Sequence, residues 1–301
     1  WNDWASPGGS SGGASAAVMS GMGSLAHGND IAGSLRIPST ATGACTVKPG
    51  LGRVPAYNPS QTQERGLIAQ LMSVQGVIAR EIKDVRLGMQ SLINYDPRDP
   101  WMVDMPFESK EIQLPIKIGF TKETLGESLH PAINKALENA IEALKDAGYI
   151  LEEVALPEFE DAANFSAKTL FGEIKALHEK DYKKMGSEDF NLVADNYFKI
   201  ISPFEGEDLL LGMAKRSYFF REWNLFFRKY PLVLTPFLLY PTYQWNRDTQ
   251  GIEGTKEVLA GMFYAHTMNY MGIPAGVVSA NYNDGLPVGV QIISSRFRED
   301  I

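Results

Sequence analysis

The stretch from Pro115 to Leu156, PIKIGFTKETLGESLHPAINKALENAIEALKDAGYILEEVAL, changes its hydrophobic period twice within 42 residues. Pro115–Thr121 (PIKIGFT) reads as a strand, and Pro131–Ala147 carries Ile133, Leu137, Ile141 and Leu144 at the spacing of one helix face. Tyr149–Leu156 then returns to strand. Strand, helix and strand in succession imply layers of α and β structure packed on one another. Working outward, helices are expected across Glu160–Lys184, Asp208–Lys229 and Gly254–Tyr270. Strands are expected at Leu232–Thr235, Ala275–Ser279 and Leu286–Ser294. Met185–Glu207 is the least regular part, so a peripheral helical insertion is expected at about 160–230. No fixed-period repeat and no linker-like shift divides the later chain, which predicts a single domain over residues 1–301.

Composition narrows the function. Lys and Arg number 28 against 36 Asp and Glu, a formal net charge of −8 that repels phosphate backbones, and no basic run offsets it. Nucleic acid is therefore not an expected partner. Apolar runs such as Pro231–Tyr240 are too short to span a bilayer and are bordered by proline, so no membrane association is expected. Cys45 is the lone cysteine, which rules out an intramolecular disulfide or a thiolate cluster and fits the cytoplasm. His27, His130, His178 and His266 are scattered without the HxxxH spacing of a helical metal site, so neither metal nor other cofactor is expected. The first residues, Trp1-Asn2-Asp3-Trp4, lack both an initiator Met and the grading of a signal peptide. A fragment cut at both ends is the expectation.

From Ala5 to Ser24, 16 of 20 residues are Gly, Ala or Ser, a flexible-linker composition were it not followed by the ordered-looking Ile31–Pro49. The predicted order is a loop at Gly8–Gly13, a tightly packed helix over Ala14–Met22, a short strand, and a second loop at Gly28–Ser34. A phosphate cradle would need GxxxxGK[ST], or GxGxxG after a strand, and neither occurs.

The two loops carry a resemblance. Ser6-Pro-Gly-Gly-Ser10-Ser11-Gly-Gly, then Gly28-Asn-Asp30-Ile-Ala-Gly33-Ser34-Leu-Arg36-Ile-Pro38, then Val47-Lys-Pro-Gly, are similar to the amidase signature. The likeness continues through Ala69–Arg80, Arg98-Asp-Pro-Trp101, Gly272-Ile-Pro-Ala275 and Gly285–Gln291, and is weakest between about Glu160 and Glu257. It implies an α/β fold with a mixed central β-sheet flanked by helices on both faces. It also implies hydrolysis of a carboxylic amide by a Ser/cis-Ser/Lys triad, with Ser34 as nucleophile and Ser10 as the bridge to a neutral lysine. A serine hydroxyl is a weak nucleophile unaided, so a base must take its proton, and a lysine can do so only where its pKa is depressed. The family's oxyanion hole falls on the backbone N–H groups of Ile31, Ala32, Gly33 and Ser34. Ala32 stands where glycine is usual, and its methyl is tolerable only at negative φ. Asp30 and Arg36 flank the nucleophile and are expected to pair across the turn as a structural brace, with Ser11 behind Ser10 as helix cap or support.

The family's lysine lies well upstream of the glycine-serine loop, and Trp1 is only nine residues before Ser10, so the base is expected outside these 301 residues and the chain as given to be inactive. Lys48 matches a non-catalytic Lys-Pro. His27 suggests a Ser-His-Asp rival, but the G-x-S-x-G elbow is absent around Ser34, and His27 is expected to close a strand. In Tyr218–Phe227 the spacing of Phe219, Trp223 and Phe226 reads as a core stripe before it reads as a pocket wall. The leading function is hydrolysis of a small, mostly apolar carboxamide through an acyl-enzyme. Two rivals stand beside it: the glutamine-hydrolysing component of a tRNA-dependent amidotransferase, which Ile37 after Arg36 disfavours, and a scaffold without its base. The expected partner is a small-molecule amide, with homo-oligomerisation left open.

Overall fold

A computed structural model describes residues 1–109 and 115–301. Eight strands form one sheet in the order β1-β3-β2-β7-β8-β6-β4-β5. They are β1 (Leu25–Asp30), β2 (Cys45–Lys48), β3 (Val74–Ala79), β4 (Lys117–Phe120), β5 (Ile150–Glu153), β6 (Leu232–Pro236), β7 (Ala275–Asn283) and β8 (Leu286–Ser294). The sheet is mixed: β4 pairs parallel with β5 and β6, and every other neighbour pair is antiparallel.

The period-two alternation of β6 shows why both faces are covered. Leu232 and Leu234 point into one apolar cluster with Ile133, Leu137 and Ile141, while Val233 between them points into another with Phe159, Trp223 and Met268. The first cluster belongs to α5 (Pro131–Asp146), the helix read from the 115–156 stretch. His130 starts it, its Nδ1 accepting from the Ala132 N–H at 3.2 Å, and Pro131 fills the first helical position, where no N–H is needed. The second cluster is built by α3 (Leu67–Met72), α6 (Phe159–Met185), α8 (Gly206–Phe227) and α10 (Phe263–Met271).

The structure revises several boundaries. Gly254–Tyr270 is two helices, α9 (Gly251–Leu259) and α10, because Gly261 takes φ +80° and its Cα packs against the Leu239 backbone, where a Cβ would lie 2.5 Å from N. The irregular-looking segment 185–207 holds a regular helix, α7 (Glu188–Ile201), capped by the Ser187 hydroxyl, which accepts from the Phe190 N–H at 3.2 Å. Gly28 lies in β1 opposite Gly76 and not in the following loop. The buried aromatic stripe of α8 is Phe219, Trp223 and Phe227, at a strict four-residue spacing, with Phe226 only half-buried. Trp223 is fully buried and its indole N–H donates to the Pro157 carbonyl at 3.0 Å, so the stripe is core. The short helices α1 (Gly12–Met19), α2 (Arg36–Thr42) and α4 (Ile82–Leu92) complete the described elements that bear on the site. No helix among the described residues is long and apolar enough to cross a membrane.

Candidate active site

β1 and α2 hold between them the five residues Ile31–Leu35, and α1 begins directly after the Gly8–Ser11 loop. Glycines let these two segments meet. A Cβ on Gly28 would lie 2.7 Å from both Leu35 Cδ2 and Ser11 Oγ, so the strand must be bare where the loops cross it. The Ser11 N–H donates to the Ser34 carbonyl at 3.1 Å, tying the two loops together by backbone. Ser10, exposed and preceded by a cis Gly9–Ser10 peptide, is thus one residue from the bond that anchors Ser34, which is half-buried. Ser11 occupies the N-cap position of α1, but its hydroxyl does not cap the helix; it turns toward β1, 3.5 Å from the Asn29 carbonyl.

Gly33 takes φ +111°, and a Cβ there would lie 2.8 Å from Ile37 Cδ1 and 2.9 Å from Ala265 Cβ, so only glycine fits. Ala32 keeps negative φ, which is why a methyl is accommodated there. The Gly33 N–H is already committed, donating to Asp30 Oδ1 at 2.8 Å. This narrows the expected oxyanion set: among the described residues nothing accepts from the N–H groups of Ile31, Ala32 or Ser34.

Beneath the loop lies a buried polar network. Asp30 and Arg36 are both fully buried and pair bidentately, Arg36 Nε to Oδ2 and Nη2 to Oδ1 at 3.0 Å each. Asp30 also accepts from the Leu35 N–H at 3.2 Å, so one carboxylate grips both sides of Ser34. The remaining guanidinium donors go to Gln291 Oε1 at 2.7 Å, the Ala265 carbonyl at 2.9 Å and Asn269 Oδ1 at 2.5 Å. Asn269 Nδ2 returns to the Asp30 carbonyl at 2.8 Å and to the Met72 carbonyl at 3.0 Å. Burial opposes ionisation of Asp30 most strongly. Arg36, by charge and hydrogen bonds, with help from Lys48 and the Gly33 N–H, still holds it at about 2. The expected brace is thus present, and it is larger than the sequence suggested. Asn269 on α10 and Gln291 on β8 had no assigned role, and the only signal was that Gln291 ends the Gly285–Gln291 run. They lie 239 and 255 residues from their partners in sequence, a separation that a linear reading cannot bridge.

Three other polar residues are resolved by burial. Lys48 is fully buried at the end of β2, its Nζ donating to the Pro49 carbonyl at 2.7 Å. Burial first, then repulsion from Arg36, pulls it down to about 7 against the attraction of Asp30 and Glu299. His27 is exposed within β1, opposite Val77. His266 Nδ1 lies 2.5 Å from Ser166 Oγ, and burial, then Arg36, keeps the ring neutral, down to about 3.

An α/β sheet covered on both faces, with a glycine-loop serine braced on a buried Asp–Arg pair, defines a class to which the comparisons give a name. The sequence model of the Amidase family matches residues 1–301, and the chain belongs to that family. It is 37% identical to an indoleacetamide hydrolase of Bradyrhizobium japonicum, over 100% of this chain and 65% of that protein. It is 28% identical to a glutamyl-tRNA(Gln) amidotransferase component of Pediococcus pentosaceus, over 100% of this chain and 66% of that protein. Among solved structures it resembles a bacterial aryl acylamidase of the amidase signature family, at 25% identity and TM-score 0.75, over 99% of this chain and 64% of that one. A 6-aminohexanoate cyclic dimer hydrolase shares the fold at 23% identity and TM-score 0.80, over 100% of this chain and 67% of the other. The chain therefore spans about two thirds or less of the length of the curated relatives it matches.

Proposed function

We propose that the intact protein is an amidase that cleaves a small, mostly apolar carboxylic amide to acid and ammonia or amine through an acyl-enzyme on Ser34. The observation that carries this reading is the backbone bond from Ser11 to Ser34, which joins the two serine loops above a buried Asp30–Arg36 clamp. In the proposed reaction Ser34 Oγ attacks the amide carbon while its proton passes to Ser10 Oγ, whose own proton goes to the neutral lysine that the family resemblance implies. The carbonyl oxygen becomes an oxyanion facing the uncommitted amides of Ile31, Ala32 and Ser34; one such donor is typically worth about 3–4 kcal/mol of barrier. Collapse breaks the C–N bond, the amine takes a proton back through Ser10, and water then repeats the sequence on the ester. Ile31 and Ala32 also pack against the aromatic cluster of Phe159, Phe219 and Tyr264, which supports an apolar acyl group. The relatives support an arylacetamide such as indoleacetamide as the first substrate to try. No metal or cofactor enters the scheme, residues 1–301 belong to a single amidase domain, and the lone buried Cys45 suits the cytoplasm.

The test uses the full-length protein. A fluorophosphonate serine probe should label Ser34, labelling should vanish in S34A, and it should slow at least 100-fold in S10A. Indoleacetamide should be turned over in preference to glutamine. Probe attachment at another residue, or glutamine hydrolysis as the dominant activity, overturns the assignment.

A further inference from the structure

Away from the nucleophile loop, two arginines converge on the turn Pro49–Gly52, which follows β2. Arg216 comes from α8. Among the described residues it makes no hydrogen bond and no ion pair, and its Nε is buried without a partner. Arg296, just after β8, donates Nε to the Leu51 carbonyl at 2.7 Å and stacks over Phe297 at 4.7 Å, and among the described residues it too has no carboxylate within ion-pair distance. The two guanidinium groups flank the same residue. Gly272, whose carbonyl accepts from the Leu51 N–H at 3.0 Å, leaves room for Arg216: a Cβ on Gly272 would lie 2.6 Å from Arg216 Nη2 and 3.1 Å from Leu51 Cβ. Gly52 does the same for Arg296, whose Nη2 lies 3.0 Å from the Cβ position.

Glu299, whose charge reaches Arg296, is already engaged. Glu299 accepts at Oε1 from the Gly50 N–H at 2.8 Å and at Oε2 from Arg53 Nε at 2.9 Å. Each arginine is depressed mainly by burial; Arg216 is pushed down to about 10, with repulsion from Arg296 as the next cause. Lys48 lies close enough to feel Arg216 as well. Two guanidinium groups without an ion-pair partner among the described residues thus meet at one turn of a chain with a net charge of −8, and the buried Arg216 Nε, a donor without an acceptor there, is costly unless something fills it.

We infer that Arg216 and Arg296 form an oxyanion-binding site beside the Pro49–Gly52 turn, taking a carboxylate or phosphate group that the two guanidinium groups share. Planar, multiply donating arginines suit such a group better than a halide, since each can present paired N–H groups to its oxygens. The anion has two sources, a free ion or small molecule, or a carboxylate of the same protein outside these 301 residues.

Thermal unfolding of the full-length protein, with and without inorganic phosphate at constant ionic strength, separates them. For a free anion, the wild type should show a saturable rise in Tm of several degrees, absent in R216M and in R296M and retained in R221M, which alters an exposed arginine of the same helix. For a carboxylate of the chain, the wild type shows no phosphate response, but R216M and R296M each lower Tm by several degrees and the double variant lowers it by less than their sum. If the site binds no anion, removing an unpaired buried cation relieves its desolvation. R216M then leaves Tm unchanged or higher, with no phosphate response in any variant, and the inference is overturned.

Discussion

Replacing Arg36 by Met keeps most of the buried volume and removes every guanidinium contact beneath the Ser34 loop. The Asp30 carboxylate would lose its two 3.0 Å charge-assisted bonds, while Gln291 Oε1 and the Ala265 carbonyl would lose donors at 2.7 and 2.9 Å. Removing one partner of a buried pair costs about 3–5 kcal/mol, and each orphaned buried acceptor adds about 1–3 kcal/mol. Asp30 keeps the Gly33, Leu35 and Asn269 donors, so the expected loss sits near the lower sum, about 5 kcal/mol. Urea unfolding of the full-length protein at pH 7.5 measures it. The sign with pH also follows: without Arg36 the burial that opposes ionisation of Asp30 loses its main counterweight, so the Asp30 pKa rises and R36M should lose more stability relative to wild type as pH rises above the free-carboxylate value of 3.8. The double variant D30N/R36M, which removes the stranded charge, should recover about 2 kcal/mol of the loss. An R36M deficit under about 1 kcal/mol, or a double variant no more stable than R36M, would refute the argument that this pair clamps the loop.

Lys48 is held at about 7 when folded against 10.5 in the free side chain, so the unfolded chain binds the extra proton between those values. Stability therefore rises with pH across that window, and K48M should be more stable than wild type at pH 7 by an advantage that shrinks toward pH 10.5 in urea midpoints. Asp30, depressed from 3.8 to about 2, contributes stability fully present above pH 4 and lost as pH falls toward 2; D30N should flatten that limb of the acid-unfolding curve. G33A forces a methyl into Ile37 and Ala265 at positive φ, and should cut fluorophosphonate labelling of Ser34 at least 10-fold while changing the far-UV spectrum little. W223A should cost about 3–5 kcal/mol in unfolding, because Trp223 is fully buried in the aromatic cluster.

The periodic stretches Pro131–Asp146 and Leu286–Ser294 were legible because their hydrophobic spacing is local and regular, and the glycine-serine blocks because their spacing along the chain is itself the signal. The sequence by itself thus determined the layered α/β class, the pairing of the Ser10 and Ser34 loops, and the formal net charge of −8. It could not determine that Gly28 is strand, that a helix breaks at Gly261, or that α8 buries Phe227 in place of Phe226, since each depends on which neighbour presses on the backbone or the helix face. Nor could it show that Asn269 and Gln291 close the network under Ser34, or that Arg216 stands without a partner among the described residues. Such facts exist only once distant segments are brought within 3 Å, because a hydrogen bond or its absence is a property of space and burial, not of order along the chain.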